Sequence, residues 1–366
     1  MSGGMSGGQV IVIAHRGASA ERPEHTLAAY ERAIALGADY IEPDLVMTQD
    51  GVLVARHENE ISGTTDVADR PEFAGKRTTK RIDGQEVTGW FTEDFTLAEL
   101  KTLRARERLP QIRPHNTAFD GAFEVPTLEE IIRLARRKEA ETGRSIGLYI
   151  ETKHPTYFQT IGLPLEPELL RVLTAHGYEG RGAPVFLQSF EVANLKALRA
   201  QTDLPLVQLM ELNGAPYDRV QAGEAVRYVD MATRQGLAEI AAYADAIGVQ
   251  KEMLVPRTAE GDLGLEVPGP TPLVRDAHAV GLQVHVWTFR SENAFLPVRW
   301  QVPAGGRSSS GEAEGLPSPA GRGQAEPELE LFLSLGIDGF FSDDPTVAVP
   351  VRNRFLQTKM QNVARK

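Results

Sequence analysis

The chain has 366 residues, 42% of them hydrophobic, enough to bury a substantial core as one large domain or two smaller ones. A net charge of −11 opposes the broad Lys/Arg surface that nucleic-acid binding requires, yet still permits a local basic pocket. No cysteine is present, so disulfides, thiolate nucleophiles and thiolate-bound metals are excluded; a metal held by carboxylates would be Ca²⁺, Mg²⁺ or Mn²⁺.

Met1 to Gly8 (MSGGMSGG) reads as a flexible tail without the basic and apolar regions of a secretion signal. As it stands the chain is expected in the cytoplasm, or in the periplasm or outside the cell if a native signal peptide has been removed. From there, β-branched runs alternate with helical patterns, the mark of βα units around a parallel sheet. Val10–Ala14 (VIVIA) runs into His15-Arg16-Gly17, and a helix is predicted over about Thr26–Leu36, stopped by Gly37. Tyr40–Val46 is the next strand; Asp50-Gly51 signals a tight turn, and Val52–Ala55 leads to His57. About Ser62 to Val125 is polar and irregular apart from a helix near Leu97–Leu103, and is expected to be an insertion over the open face. Strands follow at Ile146–Ile150, Val185–Gln188, Leu206–Met210, Ile247–Gln250, Val284–Trp287 and Gly339–Phe341. Helices between them are predicted at Thr127–Thr142, Glu166–His176 and Thr271–Val280. The Gly/Ser/Pro/Glu-rich stretch at about 303–327 reads as a mobile loop, and 357–366 as a tail.

Nine strand runs for eight places place the Asp50-Gly51 hairpin outside the βα rhythm. The reading is an α/β fold, a TIM (β/α)8 barrel over residues 9–356 as a single domain. No glycine-rich dinucleotide fingerprint or P-loop follows any strand, which disfavours an open doubly wound sheet. No run approaches the roughly 20 apolar residues of a membrane span, so no stable membrane insertion is expected.

Glu42 and Asp44 lie two apart at the end of the second strand, so both side chains face the same way at the barrel mouth. Two carboxylates on one face repel and call for a cation or a proton; Glu151, ending a later strand, is a third candidate ligand. His15 and His57 each end a strand and bracket this pair in sequence, a pattern suited to proton transfer. Arg16 and Lys153 are candidates for binding a phosphate. Gln188 and Trp287, near strand ends, are candidate pocket residues, with a core role equally open. His25, His115, His154, His176, His278 and His285 lack comparable company, although His154 follows Lys153 directly.

The run HRGASAERPEHTLAAYERAIALGADYIEPDLVMTQDGVLVARH resembles the N-terminal signature of the glycerophosphodiester phosphodiesterase family. LYIETKHP, LQSF, VWTF and DGFFSDDP follow in the family's order, so the resemblance extends to Pro345. It implies a TIM barrel that cleaves glycerophosphodiesters to sn-glycerol 3-phosphate and an alcohol. It further implies His15 and His57 as acid and base, Ca²⁺ or Mg²⁺ on Glu42, Asp44 and Glu151, and Arg16 and Lys153 on the phosphate. The implied partner is a small-molecule diester, with no nucleic acid; no feature assigns an oligomeric state. His25 departs from the family's asparagine, which implies an altered supporting or capping contact. The long insertion after His57 is similar to that of the larger, often periplasmic or secreted members.

Two alternatives stay open on the same barrel. A lysophospholipase D or sphingomyelinase-type enzyme would need an apolar lip, for which Trp90, Phe91 and Phe95 are candidates, although a small core is their other role. A catalytically inactive binding barrel would be expected to lack one of the two histidines or three carboxylates, and all five are present.

Overall fold

A computed structural model describes residues 10–265, 269–303 and 316–364. The first strand, β1 (Ile11–His15), pairs with its neighbours on both sides. The second stave is broken at Pro43 into β2 (Tyr40–Glu42) and β3 (Asp44–Met47), because proline brings no N–H to the ladder. β4 (Leu53–Ala55) folds back antiparallel on β3 through the Asp50-Gly51 turn and stands outside the barrel, as the strand count required. In the insertion, β5 (Thr78–Ile82) and β6 (Gln85–Gly89) form a separate antiparallel ribbon. The remaining staves are β7 (Gly147–Thr152), β8 (Val185–Ser189), β9 (Leu206–Met210), β10 (Ala246–Gln250), β11 (Gln283–Phe289) and β12 (Gly339–Ser342).

All eight staves are parallel. β1 joins β12, and β7 joins both β2 and β3, which closes the ring. Inside, Ile11, Ile13, Tyr149, Phe186, Val207 and Phe341 fill the floor, with the Tyr149 hydroxyl 2.6 Å from His285 Nδ1. Outside, helices lay apolar faces on the strands. Leu128–Thr142 buries Leu128, Ile131, Ile132, Leu134 and Ala135, starts at a Thr127/Glu130 capping box and stops at Gly143, whose φ of 68° suits a left-handed cap. The first helix spans Leu27–Ala35 with Thr26 as its cap.

Four expectations need correction. The insertion is not irregular throughout: its β5–β6 ribbon turns at Asp83-Gly84, both at positive φ, the tight-turn chemistry that also marks Asp50-Gly51. Its helix is short, Leu97–Leu100, because Lys101 already closes it. The expected loop at 303–327 falls partly at 304–315, outside the described residues, as does the expected tail at 1–8; residues 316–327 are anchored. There the Gly323 N–H donates to Ser291 O at 2.8 Å, Arg322 pairs with Asp344, and the helix Ala325–Ser334 begins. The expected C-terminal tail is helical through Ala364, a continuation of the helix that starts at Pro345.

Candidate functional site

The site is a consequence of strand register. His15 lies opposite Glu42, Asp44 opposite Glu151, and Glu151 opposite Gln188, so four strand ends deliver these groups to one ring at the barrel mouth. The chain then leaves β1 through a strained turn. Arg16 has a φ of 60° and Gly17 a φ of 90°; a Cβ on Gly17 would come within 2.7 Å of Ala29. That turn directs the Arg16 N–H at Glu42 Oε2, 2.8 Å away.

Glu42, Asp44 and Glu151 are buried, and one oxygen from each lies within 4.8 Å of the others. Burial, then Asp44 and Glu151, pushes the Glu42 carboxyl well above its usual range. Burial raises Glu151 to about 8, with Asp44 adding to the rise and Lys153 opposing it. Burial would also raise Asp44, but His25, His57 and Lys153 hold it low. Three carboxylates so placed need a proton or a cation. The all-oxygen donor set and the buried, unpartnered Asp44 Oδ1 fit a hard divalent ion.

Around this cluster the side chains are mostly paired. Lys153 Nζ lies 2.8 Å from Glu151, and Gln188 Nε2 donates to Glu42 at 3.0 Å. Arg16 Nη1 donates to Glu24 at 3.1 Å. His15 Nδ1 is 2.5 Å from Asp343, and His57 Nδ1 is paired with Glu58. His57 Nε2 faces Lys153 Nζ at 3.4 Å. Burial lowers His15 to about 4, with Arg16 adding to the effect and Asp343 opposing it. Burial, Arg16 and Lys153 lower His57 to about 3 against Glu58, so both rings are neutral near pH 7.

His15, Arg16, Glu42, His57, Glu151, Gln188 and Trp287 line one cleft. Asp44 adjoins it through Glu42 and Glu151, and Lys153 through Glu151 and His57. All nine candidate residues are thus assembled at one place. Trp287 meets Phe190 edge-on at 5.9 Å, forming the apolar wall.

Several partners carry little or no signal in the sequence. His25 is not an isolated histidine: Nε2 sits 2.9 Å from Asp44 and Nδ1 2.7 Å from the Tyr30 hydroxyl, so it steadies a candidate metal ligand, while Thr26 does the capping. Asp343, in DGFFSDDP, had a signal in its motif; Glu58, adjacent to His57, had one only in its position. Arg108, Arg113 and Arg290 had none. His154 turns away to Asp83 on the ribbon at 2.6 Å. Phe91 and Phe95 are fully buried, so they are core and supply no lip.

The family model described as "Glycerophosphoryl diester phosphodiesterase family" matches residues 15–347. A glycerophosphodiester phosphodiesterase of Arabidopsis thaliana is 35% identical over 346 residues, 90% of this chain and 82% of the relative. One from Haemophilus influenzae is 32% identical over 300 residues, covering 77% of this chain and 79% of the relative. Among solved structures, a Silicibacter pomeroyi protein aligns with a TM-score of 0.62 at 21% identity, covering 96% of this chain and 95% of its own. An Oleispira antarctica phosphodiesterase, in complex with the product sn-glycerol-3-phosphate, aligns with a TM-score of 0.52 at 20% identity, covering 94% and 97%. At such identities these two structures speak for the barrel fold.

Proposed function

Because the chain belongs to the glycerophosphoryl diester phosphodiesterase family and is an enzyme of that class, we propose that His15 and His57 work as an acid–base pair beside a divalent metal on Glu42, Asp44 and Glu151. The substrates are glycerophosphodiesters such as glycerophosphocholine or glycerophosphoethanolamine, and the products sn-glycerol 3-phosphate and an alcohol. The product named in the Oleispira complex agrees with this choice. The observation that carries the reading is that two neutral imidazoles, each with a carboxylate on Nδ1, line the same cleft as the carboxylate cluster.

Ca²⁺ or Mg²⁺ suits three hard oxygen donors, and Mn²⁺ is compatible with them. When bound, the ion supplies positive charge against the charge that develops on the phosphate oxygens. Arg16 and Lys153 add fixed positive charge at the same place. The diester's own negative charge favours protonation of one imidazole, which then protonates the departing alkoxide. The other imidazole, still neutral, takes the proton from the nucleophile. The nucleophile is the substrate's glycerol 2-hydroxyl: its oxygen bonds to phosphorus, the alcohol leaves, and water opens the cyclic phosphate. Single-turnover reactions in ¹⁸O water test this last step; direct label entry with no cyclic species overturns it.

Turnover of several glycerophosphodiesters, with chelator and after metal add-back, tests the whole reading. His15→Ala and His57→Ala should each lower kcat by about 10²–10⁴-fold. Variants that both remain within about tenfold of the parent refute acid–base roles for these residues.

A further inference from the structure

The insertion contributes no residue to the ring of strand ends, yet it reaches both histidines through one short segment. Arg108 grips two carboxylates at once. Its guanidinium donates to Glu58 at 3.1 and 2.6 Å and to Glu24 at 2.8 and 2.7 Å. Glu58 in turn holds His57 Nδ1, and Glu24 holds Arg16. Five residues on, Arg113 is buried. Its Nη2 donates to Asp343 Oδ2 at 2.5 Å, its Nε to Glu292 at 2.6 Å and its Nη1 to Ser19 O at 3.1 Å. The other oxygen of Asp343 holds His15 Nδ1.

We propose that Arg108 and Arg113 are positioning residues: through Glu58 and Asp343 the insertion sets the tautomer and orientation of His57 and His15. This rests on the acid–base reading above. A carboxylate held by guanidinium donors stays ionised and only accepts hydrogen bonds. Each imidazole must therefore donate from Nδ1, which leaves the Nε2 lone pair as the basic site. The far side of His57 agrees independently, since Lys153 Nζ, a pure donor, faces Nε2 at 3.4 Å. The surrounding charges match. Burial would raise Asp343, but Arg290, Arg113 and His15 hold its carboxyl well below the usual range, and His57 and Arg108 do the same to Glu58.

The two arms differ in redundancy. Arg290 Nε also donates to Asp343, at 2.8 Å, whereas among the described residues Glu58 is held in the insertion by Arg108 alone. The His57 arm should therefore be the more sensitive.

Long-range ¹H–¹⁵N spectra of the full chain labelled at histidine read the tautomers directly, with His15→Gln and His57→Gln for assignment. The parent should show Nδ1–H for both rings. Arg108→Met should move His57 to a tautomer mixture and lower kcat by about 10–100-fold, the usual range for groups that orient a functional ligand, with KM changed by less than about threefold. Arg113→Met should affect His15 more weakly. Arg108→Lys and Arg113→Lys keep the charge and guard against loss of the fold; they should restore part of kcat. An unchanged His57 tautomer in Arg108→Met and Arg108→Lys, or a rising KM with a falling melting temperature and kcat at unchanged tautomers, would overturn the proposal in favour of a plain structural brace. Because the spectra need no substrate, tautomers that respond as expected in a chain that turns over no glycerophosphodiester would sink the catalytic reading and leave the positioning intact.

Discussion

Raising the pH from about 6.5 to 8, once with chelator and once with saturating Ca²⁺, tests whether the Glu42–Asp44–Glu151 cluster exchanges a proton for a metal. Burial holds Glu151 at about 8, against an ordinary value of 4.5, so its protonated form stabilises the metal-free fold at low pH. That contribution disappears as the pH climbs through 8. His15 and His57, lowered to about 4 and about 3, add a slope that fades just above the ordinary value of 6.5 and is common to both series, so it cancels. Glu191, also raised to about 8 by burial, lies outside the cluster and contributes equally to both series, so it cancels. Displacing the Glu151 proton gains about 1.36 kcal/mol per pH unit, or about 2 kcal/mol across the window, and a proton displaced from the raised Glu42 adds to it. With about 2.1 cal/mol/K of unfolding entropy per residue over 366 residues, the metal-induced rise in Tm should be at least about 3 °C larger at pH 8 than at pH 6.5. Calorimetric scans of one stock in the four conditions give the number. A rise that is equal at both pH values, or greater at pH 6.5, refutes the proton–metal exchange.

Gly17→Ala forces an L-residue to a φ of 90° and drives a Cβ to within 2.7 Å of Ala29, which should cost about 2–4 kcal/mol and lower kcat together with stability. An unchanged urea midpoint would show that the HRG turn tolerates a side chain. Thr127→Ala removes the capping-box hydroxyl of the long helix and should cost about 1 kcal/mol with kcat unaltered, as followed by denaturant unfolding. Phe91→Ala empties a fully buried position and should cost about 3–5 kcal/mol, yet leave the ratio of glycerophosphocholine to lysophosphatidylcholine turnover unchanged. A shift in that ratio would return Phe91 to the substrate path.

The chemistry and the barrel were legible from local patterns. Period-two spacing put Glu42 and Asp44 on one face, strand ends placed His15, His57 and Glu151 at the mouth, and nine β-branched runs against eight places expelled the Asp50-Gly51 hairpin. The β5–β6 ribbon was also within reach, since Asp83-Gly84 carries the same turn chemistry, but its exposed strands lack the apolar alternation that marks a half-buried sheet. Local patterns specify which residue types recur at strand ends. Strand register in the closed ring decided that four of those ends meet at one cluster, because the pairing partners of His15, Asp44 and Glu151 lie on different staves. Tertiary structure alone decided who holds the histidines. Asp343 reaches His15 across 328 residues, and Arg113 reaches Asp343 across 230. No periodicity encodes such a contact, since it exists only once the barrel has closed and the insertion has packed over it.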